Sequence, residues 1–304
     1  MRSFSRRDWI RAAGQAVLGA GLSTVNVRGS SRASQFCFFS KHLAELGWSD
    51  LGRAVKDAGY DGVDLTVRPQ GHVLPENAPR DLGRAIDAVR AHGVSVPMIT
   101  TDLTSAAHPL AKPLLQAAVR SGVRYFKTGY WRYTSSPDVR AQVNAAGEAL
   151  AGLAALAEEC GIELGFHNHT AYIGAPLWDI APAMDRLNPK WAGYYFDPRH
   201  AVAEGGGGAW KAATHLVMPR LKMIALKDFF WEKSPKGWSI RDCPLGDGAV
   251  DWTWFGRTLN ASGFSGPVSL HFEYEIAGST PRERTRRTLD AAIKDLAVAR
   301  RIVT

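Results

Sequence analysis

The sequence predicts a single-domain α/β protein with the fold of a (β/α)8 TIM barrel. Eight short apolar segments alternate with eight longer helical patterns, which is typical of parallel βαβ units. About 270 residues carry these eight units, and that is the usual size of such a barrel. A doubly wound open sheet is the rival fold, but it usually carries a GxGxxG loop after its first strand, and here Ser40-Lys41-His42 follows instead. The chain of 304 residues is 45% hydrophobic, which suffices for one large core.

Each strand is predicted from a short apolar run, and each helix from apolar residues spaced three or four apart. The strands are predicted at residues 35–39, 62–67, 94–100, 123–128, 162–167, 191–197, 221–228 and 268–273. The helices that follow them are predicted at residues 51–59, 82–92, 110–121, 138–160, 178–187, 210–217, 252–262 and 281–301. Two further segments are predicted as loops: the glycine run 205–208, and residues 229–251 after the seventh strand.

The first 33 residues are predicted to be an export signal. Ser5-Arg6-Arg7-Asp8-Trp9-Ile10 resembles the twin-arginine motif, and Ser31-Arg32-Ala33 offers the small residues that signal peptidases prefer. The small and apolar stretch 12–22 between them is too short and too rich in glycine for a stable membrane anchor. We therefore predict a twin-arginine signal peptide at 1–33, a barrel domain at 34–304, and a periplasmic or secreted protein. An ordinary amphipathic N-terminal helix is the alternative.

The formal net charge of +8 belongs mostly to this N-terminal segment. Without its six arginines and one aspartate, 31 basic and 28 acidic residues remain, a net charge of about +3. This near balance argues against a nucleic-acid partner. The three cysteines, Cys37, Cys160 and Cys243, have no CxxC spacing and outline neither a disulfide framework nor a zinc knuckle. One disulfide and three separate thiols both remain open.

Polar side chains gather where the predicted strands end, and the active site of a TIM barrel lies at that end. His167 and His169 are two residues apart, as are His271 and Glu273, so each pair can face one side of its strand. Imidazoles and carboxylates that converge at one rim can bind a divalent metal. The predicted ligands are His167, Asp197, His271 and Glu273; a metal-free polar pocket is the alternative.

Two lysines at strand ends and several rim residues complete the predicted site. Lys127 and Lys227 can stabilise a developing oxyanion, with His167 and His271 as acid–base groups. Aromatic rim residues suit the apolar faces of sugars. Predicted substrate contacts come from Arg68, His72, His169, His200, Trp131 and Asp228.

Several longer motifs carry a family resemblance that spans the chain from Gln35 to Ile302. The matching stretches are Gly59-Tyr60-Asp61-Gly62-Val63-Asp64-Leu65, Gly161-Ile162-Glu163-Leu164-Gly165-Phe166-His167-Asn168-His169, Tyr195-Phe196-Asp197-Pro198-Arg199-His200, Leu226-Lys227-Asp228, and Pro244-Leu245-Gly246-Asp247-Gly248-Ala249-Val250-Asp251-Trp252. In their order and placement the chain resembles the xylose-isomerase-like TIM barrels, also called the sugar phosphate isomerase/epimerase family.

The resemblance implies one divalent ion, bound by Glu, Asp, His and Glu from the fifth to eighth strands. Residue by residue, this chain has His167 at the first of these positions, Asp197 at the second, Ala225 at the third and His271 at the fourth, with Glu273 two residues on. The expected cofactor is therefore manganese, zinc or magnesium in an altered site, or none. Family members are often dimers or tetramers, so the resemblance leaves a homo-oligomer open.

The resemblance implies an enzyme that isomerises, epimerises or eliminates at a carbon beside the carbonyl group of a sugar, keto-sugar or glycoside. Export favours a small-molecule carbohydrate substrate without phosphate. A non-catalytic periplasmic sugar-binding protein is the alternative, because both usual glutamates and the histidine are replaced. A nuclease of the endonuclease IV type is a remote one, since it needs a three-zinc cluster with many more ligands.

Overall fold

Residues 34–303 are described by a computed structural model, and they contain a closed barrel of eight parallel strands. Barrel strands β1 to β7 and β10 lie in the order β1-β10-β7-β6-β5-β4-β3-β2, which confirms the predicted (β/α)8 fold. The ten strands are β1 (Phe36–Phe39), β2 (Gly62–Val67), β3 (Ser95–Thr101), β4 (Tyr125–Lys127), β5 (Glu163–His167), β6 (Ala192–Phe196), β7 (Leu221–Leu226), β8 (Asp228–Ser234), β9 (Gly237–Cys243) and β10 (Val268–Leu270).

The helices follow the barrel strands in alternation, and their ends carry the expected capping residues. The side chains of Asp138, Asp197 and Asp251 each accept a backbone N–H at a helix start. Gly161 and Gly263 end two helices with φ of 78° and 70°, a left-handed conformation that favours glycine. The helices are α1 (Trp48–Asp57), α2 (Ala78–Arg90), α3 (Ala111–Arg120), α4 (Val139–Cys160), α5 (Ala181–Asp185), α6 (Pro198–Val217), α7 (Trp252–Ser262) and α8 (Pro281–Val303).

Two predicted loops have regular structure instead. Residues 229–251 contain most of an antiparallel hairpin of β8 and β9, which pair from Asp228 with Cys243 to Ser234 with Gly237. The glycine run 205–208 lies inside α6, which begins twelve residues earlier than predicted and is kinked at Gly206, where φ is 56°. Helix α5 is shorter than predicted, with five residues.

The barrel interior has an apolar lower layer and a polar upper layer. The lower layer contains Met98, Tyr125, Met223 and Ala225, which pack around the buried ring of Tyr195. Above it, toward the carboxyl ends of the strands, the buried side chains become polar. They are Asp64, Thr66, Thr100, Lys127, His167, Asp197, Lys227 and His271. The alternation of inward and outward side chains along the strands therefore places ionisable and hydrogen-bonding groups at one end of the barrel.

The predicted export signal at residues 1–33 lies outside the described residues and stays a prediction. Within residues 34–303, we find no helix of the length and apolar character needed to cross a membrane. Cys37, Cys160 and Cys243 are all free thiols, which answers the question that the sequence left open.

Candidate active site

A cavity of about 100 Å³ opens at the carboxyl end of the barrel. It brings together seven of the residues predicted from the sequence: Arg68, Lys127, His167, His169, Lys227, His271 and Glu273. Five further residues line it: Phe39, Lys41, Thr100, Tyr130 and Tyr195. The lining is mostly polar and charged, with Phe39, Tyr130 and Tyr195 as its carbocyclic aromatic residues.

Asp197 is the buried anion beside this cavity. The residue follows β6 and caps α6, where its Oδ1 accepts the backbone N–H of His200 at 3.0 Å. Its Oδ2 lies 3.2 Å from Nζ of Lys227 and 3.3 Å from Nε2 of His167. Burial by itself would raise the pKa of Asp197, but the Lys227 amino group and the adjacent imidazoles hold that pKa well below its usual range. Asp197 is therefore a carboxylate that only accepts hydrogen bonds.

His167 connects Asp197 to a tyrosine in the cavity. Because an ionised carboxylate cannot donate, Nε2 of His167 carries the proton that faces Asp197. Nδ1 is then an acceptor, and it receives the hydroxyl of Tyr130 at 2.9 Å. Burial lowers the pKa of His167 to about 3, so the imidazole is neutral. Tyr130, His167 and Asp197 form one directional hydrogen-bond chain.

A second chain ends at His271. Asp64 is fully buried and accepts hydrogen bonds from Thr100 at 2.7 Å, Ser269 at 2.9 Å and Tyr195 at 3.2 Å. The hydroxyl of Tyr195 also lies 3.0 Å from Nε2 of His271. Since Tyr195 donates to Asp64, its oxygen accepts from His271, and this assigns the proton of the imidazole to Nε2. Nδ1 of His271 is left with a free lone pair.

The environment of His271 keeps it neutral and oriented. Burial lowers its pKa well below the usual value, and the nearby Lys227 adds to that shift. The ring stacks on Phe39 with centroids 4.2 Å apart. The His167 and His271 centroids are 6.1 Å apart, so the two chains approach one small volume. The site therefore contains two neutral imidazoles of fixed tautomer.

Basic side chains dominate the rest of the cavity. Burial, reinforced by the charge of Arg68, lowers the pKa of Lys127 well below its usual range, and Nζ of Lys127 lies 3.4 Å from the ring centroid of Tyr130. Glu273 forms an ion pair with Lys41 at 2.8 Å. Burial alone would raise the pKa of Glu273, yet Lys227 and Lys41 hold it at about 2. Developing negative charge on a substrate oxygen would be stabilised here.

The structure places four predicted substrate contacts elsewhere. His200 lies behind His169, with ring centroids 4.0 Å apart, and its buried Nε2 has no hydrogen-bond partner. His72 lies 3.2 Å from the Leu43 carbonyl through Nε2. Trp131 stacks on Phe166. None of these three lines the cavity.

Asp228 is the fourth, and it too lies outside the residues that line the cavity. The carboxylate is buried and organises the segment between β9 and α7. It accepts hydrogen bonds from the backbone N–H groups of Phe229, Gly246, Gly248 and Val250 and from the indole N–H of Trp252. Every one of these donors belongs to the protein, so Asp228 has a structural role.

The sequence prediction missed Tyr130 and Tyr195. Tyr195 lies two residues before Asp197, so strand alternation puts both on the inner face of the barrel, and that signal was present. Tyr130 lies just beyond β4 in a loop, where alternation gives no direction. Thr100 and Phe39 also point inward from strand ends.

The residues at this site do not fit the divalent ion that the resemblance implies. Within residues 34–303, no three His, Cys, Asp or Glu side chains converge as metal ligands. Ala225, fully buried at the position of the strand-seven histidine, has no ligand atom. Asp197 faces N–H donors, and Glu273 is paired with Lys41. The four predicted ligands His167, Asp197, His271 and Glu273 therefore lie in or beside one cavity but are engaged in hydrogen bonds and ion pairs within the protein.

Comparison with known proteins finds a similar protein among curated sequences. It is 26% identical over 162 residues to an inosose dehydratase of Bacillus velezensis, a match that covers 49% of this chain and 54% of that protein. The chain thus spans about half the length of the curated relative it matches.

Two solved structures share the fold at low sequence identity. One is D-psicose 3-epimerase with D-tagatose from Clostridium cellulolyticum (TM-score 0.68, 14% identity, 88% of this chain and 99% of that chain). Another is a xylose isomerase-like TIM barrel protein from Mycobacterium smegmatis in complex with magnesium (TM-score 0.63, 16% identity, 89% and 98%). The family model described as xylose isomerase-like TIM barrel matches residues 52–296. This chain therefore belongs to the xylose isomerase-like TIM barrel family.

Proposed function

We propose that the protein is a sugar isomerase/epimerase-type enzyme that moves a proton at a carbon beside a carbonyl group. One observation supports this most directly: two hydrogen-bond chains, Asp64–Tyr195–His271 and Asp197–His167–Tyr130, end at one cationic cavity. A binding protein would not need two imidazoles whose tautomers are fixed by buried carboxylates. Proton transfer to and from carbon does need such groups.

The reaction can be written with these residues alone. Nδ1 of His271 takes the proton from the carbon beside the carbonyl, and the electron pair of that C–H bond moves onto the carbonyl oxygen. The amino groups of Lys227 and Lys127 and the guanidinium of Arg68 stabilise the resulting enolate. Tyr130 gives the proton of its hydroxyl group to carbon from the other side, which breaks its hydrogen bond to Nδ1 of His167. Exchange with water then removes the proton from Nδ1 of His271 and returns one to Tyr130, which closes the cycle.

The position of that second proton transfer decides the product. Return to the opposite face of the same carbon gives an epimer, and return to the adjacent carbon gives an isomer. Loss of a neighbouring hydroxyl gives elimination. The curated relative is a dehydratase and the solved relative a 3-epimerase, and both names fit a shared enolate step. We expect a small carbohydrate with a carbonyl group as the substrate.

Exchange of carbon-bound hydrogen with solvent tests the proposal. We expect the purified protein to incorporate deuterium from D2O beside the carbonyl of a ketose, with D-tagatose and D-fructose as probes followed by NMR. His271→Asn removes the proposed base and should slow exchange by about 100-fold or more. His72→Asn is the matched control, since His72 lies outside the cavity, and should change exchange by less than about twofold.

Two outcomes would contradict the enzyme. If calorimetry detects sugar binding while no deuterium is incorporated, the chain is a sugar-binding protein on an isomerase scaffold. If His271→Asn exchanges at the wild-type rate although its melting temperature is unchanged, His271 is not the base. The thermal melt separates loss of chemistry from loss of fold.

A further inference from the structure

We propose that the amino group of Lys227 takes the place of the family's divalent cation, so that substrate oxygens bind an internal ammonium group and the protein needs no metal. The inference concerns the cavity of the proposed function, and it rests on that function only for its activity readout. It accounts for two replacements together, at Ala225 and His167.

The first step is the partner of Asp197. Of the four metal ligands in the family's set, this chain keeps only the aspartate, Asp197. A cation is therefore expected beside its carboxylate. The structure places Nζ of Lys227 there, 3.2 Å from Oδ2. Both side chains are almost fully buried, with 4% of Lys227 and none of Asp197 exposed. The lysine therefore supplies the buried counter-charge that a carboxylate in this position requires.

The second step is the geometry of strand β7. Ala225 and Lys227 are two residues apart and share the inner face of the barrel. Ala225 packs in the lower layer beside Met223, while Lys227 continues into the cavity. This segment has thus lost the ligand atom at Ala225, while Lys227, at the next inward position, lies beside Asp197.

The third step is the remaining donor set. His167 directs its protonated Nε2 at Asp197, and Glu273 is bound to Lys41. Arg68 also lines the cavity and would repel a divalent cation. An ammonium has three N–H donors. Asp197 pairs with its charge at 3.2 Å, and its N–H groups can bind oxygens of a substrate in the cavity.

Titration with Mn²⁺ alone tests this without any substrate. At about 1 mM Mn²⁺ we expect no bound ion by electron paramagnetic resonance and no rise in the melting temperature of the wild type. Lys222→Ala is the matched control: Lys222 lies on β7, five residues before Lys227, and it also pairs with a carboxylate, that of Glu163, at 2.6 Å. It should respond like the wild type.

Removal of the lysine should make room for the ion. Lys227→Ala uncovers the carboxylate of Asp197, and we expect Mn²⁺ to bind this variant at least about tenfold more tightly than it binds the wild type. Equal responses of Lys227→Ala and the wild type would overturn the proposal. If the variant does not fold, the wild type alone decides: about one equivalent of tightly bound Mn²⁺ overturns the proposal, and no bound ion supports it.

The deuterium exchange assay separates this proposal from the proposed function. If hydrogen exchange continues unchanged in the presence of a chelator, the result supports both the internal ammonium group and the proposed isomerase-type function. Exchange that the chelator abolishes and Mn²⁺ restores overturns the internal ammonium and leaves the isomerase-type function standing. A wild type that binds no Mn²⁺ and exchanges no hydrogen overturns the proposed function, while the titration still supports the ammonium in the cation's place.

Discussion

The hydroxyl group of Tyr195 lies between the buried carboxylate of Asp64 and the imidazole of His271. Burial raises the pKa of Asp64 to about 6, and hydrogen bonds from Thr100 and Ser269 oppose that rise. Near neutral pH the carboxylate is therefore mostly ionised and accepts the tyrosine proton. The negative charge of Asp64 sets the direction of both hydrogen bonds in the series Asp64–Tyr195–His271. It thereby also leaves the lone pair free at Nδ1 of His271.

Substitution of Tyr195 by phenylalanine should slow the reaction while substrate binding is kept. The ring still fills the barrel, but His271 loses the acceptor that fixes its tautomer. We expect kcat for hydrogen exchange to fall about tenfold or more, with KM changed by less than about twofold. Tyr194→Phe is the matched control, because Tyr194 is equally buried on the opposite face of β6. A matching loss in both variants would point to packing instead.

At the scale of residues, strand alternation predicted what lies on strands and failed beyond their ends. His167, His271, Lys127 and Lys227 were all found from their positions at strand ends, and all four line the cavity. Asp228 continues the same run of sequence, yet its side chain turns away because five protein donors surround it. This network forms only when the segment 246–252 folds back against Asp228, so no local sequence pattern predicts it.

At the scale of elements, the carboxylate of Asp228 joins the hairpin to the start of α7. It binds N–H groups of Gly246, Gly248 and Val250, and a Cβ atom at Gly248 would lie 2.1 Å from its Oδ1. This close approach explains why Gly248, the second glycine of the Gly246-Asp247-Gly248 motif, carries no side chain. Arg199 of α6 binds Asp242 of β9 and ties the hairpin to a second element.

Loss of the Asp228 carboxylate should destabilise the fold without direct harm to the chemistry. Asp228→Ala leaves five N–H donors without acceptors, and we expect the free energy of unfolding to fall by about 3 kcal/mol or more. Urea unfolding measures it. Asp247→Ala in the same motif is exposed and should change stability by less than about 0.5 kcal/mol. A similar small loss for Asp228→Ala would return this residue to the list of substrate contacts.

The bounds of the helices were predicted well where the spacing of apolar residues and the capping residues indicate the same ends. Helix α4 starts one residue after its Asp138 cap and ends at Cys160, as predicted, and α7 matches at both ends. The hairpin was missed because Phe229, Phe230 and Trp231 form an unbroken aromatic run without strict alternation. The start of α6 was missed because glycines interrupt its apolar period.

At the scale of the whole molecule, the closed barrel accommodates buried charge at its catalytic end and at its flank. Asp64 receives hydrogen bonds from β3, β6 and β10, so one carboxylate crosslinks four strands. Asp295 does similar work outside the barrel: it accepts the Leu245 backbone N–H at 3.3 Å and the Tyr274 hydroxyl at 3.1 Å. It joins α8 to segments that follow β9 and β10.

The stability of the whole protein should carry a pH dependence from Asp295. Burial raises its pKa in the folded state to about 6, above the ordinary 3.8. Between these values the folded state binds more protons than the unfolded state, so this group's contribution to stability is fully present below about pH 4 and is lost as the pH rises through 6.

Asp295→Asn removes the loss of stability that occurs as the pH rises through 6, because an amide stays neutral at every pH. We expect variant and wild type to unfold with similar free energies at about pH 4, and the variant to be more stable by about 2–3 kcal/mol at pH 8, as measured by urea unfolding across the range. Asp290→Asn on the same helix is exposed and should follow the wild-type curve. A constant difference between Asp295→Asn and wild type at every pH would show that Asp295 acts through its hydrogen bonds alone, because only a change in proton binding gives a difference that grows between pH 4 and 6.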